Sequence, residues 1–178
     1  SAGANPESIT GDFTGDILHS YVGSVNFNFN SSFFVTASFR ADGSSRFIND
    51  RWGFFPGVAA GYNFAAGNKL PAFDQLKFRA SYGVTGNNNV GNFTTLPLFG
   101  GGNTYLDAPG IAPSQIGNPD LVWETTTQTN LGLDVGIVDN RITGTFDFYI
   151  KESSDLILNR PVPTTSGFTV VPENIGDM

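Results

Sequence analysis

The sequence predicts an all-β fold: a segment of an antiparallel transmembrane β-barrel with about six up-and-down strands. Three observations predict it. Six stretches alternate apolar and polar residues with period two, and one parity of each stretch carries no charge. A strand sends successive side chains to opposite faces, so each stretch has one greasy face and one wet face. The stretches run to about ten residues, enough to cross a bilayer at a tilt. The connections are alternately short and long, the pattern of barrels with short periplasmic turns and long exterior loops.

The first stretch, Tyr21 to Phe29, sets Tyr21, Gly23, Val25, Phe27 and Phe29 against Val22, Ser24, Asn26 and Asn28. The second, Phe33 to Asp42, sets Phe33, Val35, Ala37, Phe39 and Ala41 against Phe34, Thr36, Ser38, Arg40 and Asp42. Directly opposed residues in an antiparallel pair share a face. A three-residue turn, Asn30-Ser31-Ser32, therefore pairs Phe29 with Phe33, Phe27 with Val35 and Val25 with Ala37. A two-residue turn would flip every later pair. The third stretch, Trp52 to Phe64, puts Trp52, Phe54, Val58, Ala60 and Tyr62 on one face, with Gly53, Gly57, Ala59, Gly61 and Asn63 on the other. Pro56 cannot donate to a ladder, which predicts a bulge or local irregularity there. In the fourth, Leu76, Phe78, Ala80, Tyr82 and Val84 alternate with Lys77, Arg79, Ser81, Gly83 and Thr85.

The last two stretches form a second clear hairpin. Leu131, Leu133, Val135 and Ile137 alternate with Asn130, Gly132, Asp134 and Gly136; Ile142, Gly144, Phe146, Phe148 and Ile150 alternate with Thr143, Thr145, Asp147, Tyr149 and Lys151. A turn at Asp139-Asn140 pairs Ile137 with Ile142 and Leu133 with Phe146, and both turn residues tolerate the positive φ of a type I′ hairpin. Higher up the fifth stretch the apolar parity carries Thr125, Thr127 and Thr129, a blemish in the pattern.

Asn30–Ser32, Ala65–Gln75 and Val138–Arg141 thus lie at one end, and Gly43–Arg51, Gly86–Leu121 and Asn159–Met178 at the other. The stretch Gly86–Leu121, rich in Gly, Asn and Pro, reads as a surface loop. Aromatic residues crowd both ends: Phe27, Phe29, Phe33, Tyr62 and Phe64 near the short turns, and Trp52, Phe54, Tyr82 and Trp123 near the long loops. Two girdles around an aliphatic band are what a bilayer asks of a barrel exterior. On this reading Val25, Phe27, Val35, Val58, Leu131 and Phe146 face lipid.

Composition agrees. The 178 residues include 22 glycines and 17 phenylalanines, with no cysteine and a net charge of −7. No run is long and apolar enough for a transmembrane helix, which says nothing against a barrel. Without cysteine there are no disulfides or thiolate zinc sites. The acidic balance argues against a nucleic-acid partner. Six strands are too few to close a membrane barrel, and an open sheet would leave edges that lipid cannot satisfy. The chain, which begins at Ser1 without a signal segment, is therefore expected to be one piece of a larger barrel.

No enzyme is expected. The single histidine, His19, reads as a loop residue before the first strand and has no partners for a metal site. There is no nucleophile elbow, and the glycine runs lack a following helix, so no catalytic, metal or cofactor residues are assigned. Asp42-Gly-Ser-Ser-Arg46 reads as a tight exterior turn. The polar chemistry sits on the inner parity, where Arg40, Asp42, Lys77, Arg79, Asp134, Asp147 and Lys151 are the candidate lumen-facing groups. They would pair across strands, dock a plug or touch substrate. In the loops, Phe99, Tyr105 and Phe168 are candidate substrate contacts, able to stack on a sugar ring or a peptide side chain.

Several blocks resemble one family. TASFRADGSSRF (Thr36 to Phe47), RWGFFPGVAAGY (Arg51 to Tyr62), LKFRASYGVTGNNNVGNF (Leu76 to Phe93), NPDLVWETTTQTNLGLDVGI (Asn118 to Ile137) and NRITGTFDFYIKESSDLIL (Asn140 to Leu158) are similar to the C-terminal barrel half of SusC/RagA-type TonB-dependent outer-membrane transporters, in the family's order. The resemblance implies a plugged barrel of about 22 strands, with residues 1–178 a partial barrel domain lacking the plug. It also implies the outer membrane of a Gram-negative bacterium and energised import of glycan or peptide fragments. The implied partners are TonB, reached through regions outside this chain, and a SusD-like surface lipoprotein as lid. Two alternatives remain open: a passive outer-membrane porin, and a secreted soluble β-sandwich binding module.

Overall fold

The computed structural model describes residues 14–178 except 31, 67–69, 71 and 106–107, with the backbone alone at 102–105 and 108–109. Strands β1 (Leu18–Phe29), β2 (Phe33–Ser44), β3 (Trp52–Asn63), β4 (Gln75–Asn87), β7 (Glu124–Ile137) and β8 (Ile142–Ser154) form one six-stranded sheet in that order. Every neighbouring pair is antiparallel. Two small hairpins complete the fold, β5 (Leu98–Tyr105) with β6 (Ala108–Gln115), and β9 (Ile157–Pro161) with β10 (Val170–Asn174). The sheet is an up-and-down partial barrel, as the alternation predicts.

The two predicted registers hold. Phe29 pairs with Phe33 and Val25 with Ala37 across the first turn; Ile137 pairs with Ile142 and Leu133 with Phe146 across the last. Followed across the sheet, the ladders put Val25, Phe27, Val35, Val58, Leu131 and Phe146 on one face. Val25, Phe27, Val58, Leu131 and Phe146 are exposed there, and Val35 is half-buried. At Thr125 and Thr127 the threonine blemish has a positional cause, whereas Thr129 sits between Tyr82 and Ile150. Thr125 lies opposite Ser154 and Thr127 opposite Glu152, in the last rows toward the long loops, where the greasy face gives out.

Several expectations change in detail. At Pro56 the register with β2 continues unbroken, Phe39 opposite Pro56 and Arg40 opposite Phe55. It is the ladder to β4 that ends, at Gly57 opposite Gly83, one residue short of the proline that has no N–H to give. In the last turn Val138 joins Asp139 and Asn140 at positive φ, 57°, 53° and 56°. A β-branched residue is a true outlier in that region. His19 lies inside β1, opposite Gly43, and β2 runs to Ser44, so the tight turn comes later than Asp42.

The long connections are more than surface loops. Gly86–Leu121 holds the β5–β6 hairpin and buries Val90, Thr95 and Leu121; Asn159–Met178 lies largely in the β9–β10 hairpin and its return. The core sits at this end, on Phe47, Phe55, Val90, Leu121 and Trp123. Trp123, expected in an aromatic girdle, is buried here, with Phe47 at 5.4 Å and Phe55 at 5.5 Å between ring centroids. The reason is the gap left above Gly57 and Gly83. The Phe55 ring enters it between two glycines, its Cζ 2.0 Å from where a Cβ on Gly86 would stand and 2.4 Å from one on Gly53.

Candidate functional site

The polar face gathers its charges through glycines. Arg79 on β4, Gly132 on β7 and Asp147 on β8 lie in one row of the ladders, with Asp134 one inward position along β7. The Arg79 guanidinium donates to Asp134 through Nε (2.9 Å) and Nη2 (3.0 Å), and through Nη2 to Asp147 (3.0 Å). It reaches Asp147 only because residue 132 has no side chain. A Cβ there would stand 2.8 Å from the guanidinium carbon and 2.7 Å from an Asp147 carboxylate oxygen. Such a planar, multiply hydrogen-bonded fork locks three strands in register as no lysine would.

Lys77 uses the same device on the other side. It lies opposite Asp134 but leans away across Gly61, whose Cβ position is 3.3 Å from the Lys77 Cε, and its ammonium sits 4.8 Å from the centre of the Phe34 ring. That distance suits a cation–π contact. Arg40 and Asp42, two apart on one strand face, pair through Nε at 2.8 and 2.6 Å, with Asp42 only 5% exposed. Lys151 lies opposite Gln128, exposed and in no ion pair among the described residues. Between these groups Gly57, Ala59, Gly61 and Gly83 leave a shallow trough with clefts of about 260 and 320 Å³. Its polar walls are already ordered, Asn130 donating to Ser81 (3.1 Å) and Gln128 to Asn130 (2.8 Å). The arrangement can hold a polar surface or pass a polar solute; it has no reactive constellation.

At the long-loop end, Phe99 is exposed on β5, while Phe168 is half-buried in a cleft of about 460 Å³ between the two hairpins. The Tyr105 side chain lies outside the described residues. The loops carrying them form one hydrogen-bonded body. Trp123 Nε1 donates to Arg51 O (3.2 Å), Thr95 to Arg46 O (3.0 Å), and Asn118 to Pro172 O (2.8 Å). The Asn174 side chain accepts from Val122 N (2.9 Å) and donates to Val122 O (3.0 Å).

A family model described as "TonB dependent receptor-like, beta-barrel" matches residues 2–178. The chain belongs to that family. Its TonB-dependent relatives include receptor P39 of Formosa agariphila, 39% identical over 94% of this chain and 16% of the relative. SusC of Bacteroides thetaiotaomicron is 36% identical over 93% of the chain and 18% of its own length. Among solved structures, the RagAB peptide importer in the open-open state superposes with a TM-score of 0.83 at 33% identity, over 91% of this chain and 18% of that one. The chain thus spans less than a fifth of the relatives it matches. Family membership places this TonB-dependent receptor segment in the outer membrane of a Gram-negative bacterium.

Sequence reasoning named the charges of the receptor's polar face but missed Gly61, Gly132, Phe34 and Phe55. Each had a signal. Phe34 and Phe55 are aromatics on the inward parity, and Gly61 and Gly132 lie directly across from Arg79 on its two sides, marking places where long side chains cross.

Proposed function

We propose that the chain builds part of the wall of an energised outer-membrane transporter that imports oligosaccharides or other large nutrients, with a SusD-like lipoprotein as lid. The observation that carries this is the confinement of charge. In the sheet, the face bearing Val25, Phe27, Val35, Val58, Leu131 and Phe146 has one charged residue, Glu152, near its long-loop edge. The opposite face carries Arg40, Asp42, Lys77, Arg79, Asp134, Asp147 and Lys151. The first face meets lipid, the second lines a lumen whose polar groups dock the plug and border the substrate path. Substrate reaches it past Phe99, Tyr105 and Phe168. The family description supports energy coupling through TonB, and the likeness to the RagAB peptide importer supports import of a large solute. Uptake of labelled oligosaccharide or peptide by cells carrying the intact protein should disappear when TonB is deleted or the proton gradient is collapsed. Uptake that survives both treatments would mark a passive porin.

Long loops go outside and short turns to the periplasm in such barrels. A protease site inserted at Gly101 should therefore be cut in intact cells, whereas a tag at Asp139 should stay hidden until the outer membrane is breached. The converse result would invert the topology.

A further inference from the structure

We propose that a cleft at the long-loop edge of the apolar face, built around Arg51 and Trp52, binds the phosphorylated headgroup of a lipid in the surrounding leaflet. It measures about 280 Å³ and is lined by Ile17, His19, Ser45, Arg51 and Trp52, over Gly43. It continues the membrane-facing surface directly. Trp52 stacks on Tyr21, with centroids 5.8 Å apart at 23°, and both rings are exposed on the apolar face. Amphipathic rings of this kind sit at headgroup level. Gly43 seats the indole, since a Cβ there would stand 3.1 Å from three ring carbons. His19 lies two residues beyond Tyr21 on the same face, farther from the membrane middle.

Charge complements that position. Arg46 is engaged by Asp16 (3.2 Å) and by Asn88 O (3.2 Å). Arg51 forms no ion pair among the described residues, and its Nε alone donates, to Ile48 O at 3.3 Å. The two terminal guanidinium nitrogens therefore remain available for the bidentate geometry that phosphate prefers. Asp50, next in the chain, does not line the cleft. A phosphate on Arg51, polar headgroup atoms against His19 and Ser45, and an acyl chain along Ile17 and Trp52, running on over the neighbouring Tyr21, match the chemistry of the lining. A free phosphate ion would leave the apolar wall idle, which is why a lipid is the occupant.

The test uses the intact transporter in a phosphate-free maltoside detergent, supplied with a phosphorylated glycolipid or with the same glycolipid after phosphatase treatment. Bound lipid is counted by native mass spectrometry. The phosphorylated form should be retained preferentially, and Arg51→Gln should lower retention about five-fold, the effect of one cation at a membrane surface. Arg51→Lys should keep most of it. If Arg51→Gln does not assemble, as read by heat-resistant migration, His19→Gln replaces it and should also weaken retention. Equal retention of the two glycolipids, no loss in either assembled variant, or full displacement by inorganic phosphate would overturn the proposal. The inference relies on the outward placement of the long loops. Cleavage at Gly101 in intact cells together with absent lipid retention would sink the lipid site and leave the transport reading intact.

Discussion

Phe47→Ala is expected to loosen the whole long-loop end of the protein while leaving the six-stranded sheet assembled. Phe47 and Leu121 are fully buried, and with Phe55, Val90 and Trp123 they form the cluster that fills the gap between β3 and β4. Removing a buried phenylalanine ring costs about 3–5 kcal/mol through lost transfer energy and the cavity left behind. Here that loss falls on a body with few other apolar anchors. The connection carrying Phe47 would lose its hold on Trp123, and Trp123 its alignment with Arg51 O. The base of the β5–β6 hairpin hangs from the same segment, through Thr95 and Arg46 O. Hydrogen exchange on the intact protein should show protection falling at 44–51, 88–96 and 121–123, with the strand ladders unchanged. Phe99→Ala, which removes a ring that is 67% exposed, should change little and serves as the comparison. Unchanged exchange at 121–123 in Phe47→Ala would show that the hydrogen bonds hold this end without the cluster.

The sheet was legible in the sequence because a bilayer imposes a local rule. Each strand must alternate by itself, so Val25 or Phe146 could be assigned a face without knowing its neighbours, and turn length then chose the register. Even the departure from the rule at Thr125 and Thr127 is local, since it marks where the strands pass the greasy band. The cluster around Trp123 obeys no such rule. Phe47 and Leu121 are far apart in the chain and lie in segments without periodicity, so only the folded loops bring them together. Trp123 looked like a girdle residue because its place at a strand end was visible and its partners were not. The β5–β6 hairpin was hidden for another reason: Gly100, Gly101 and Gly102 interrupt any alternation, and its register slips at two points. Among the charges, the sequence put Arg79, Asp134 and Asp147 on one face. That one arginine serves both carboxylates depends on Gly132, which looks like any other glycine until the ladders are drawn.

Arginine placed on the two faces in turn should give opposite results in the intact barrel. Val25, Val58, Leu131 and Phe146 lie on the face without charge between the ends of the sheet. An arginine near the bilayer midplane costs about 2–4 kcal/mol on the lipid face of a barrel, because its charge must be carried to the interface or meet hydrocarbon. Asn26 and Thr145 lie on the other face, next to Thr36 and Asp134 in the ladders. Arginine there finds polar partners or water, and at position 145 a carboxylate directly opposite. Val25→Arg and Asn26→Arg make the sharpest pair, since they are adjacent on one strand and differ only in the direction the side chain points. The yield of heat-resistant folded barrel should fall steeply for Val25→Arg and Phe146→Arg and hold for Asn26→Arg and Thr145→Arg. Equal tolerance on both faces would mean that neither meets lipid, and the sheet would have to belong to a sandwich in water. Loss on the polar face alone would show the assignment of faces to be reversed.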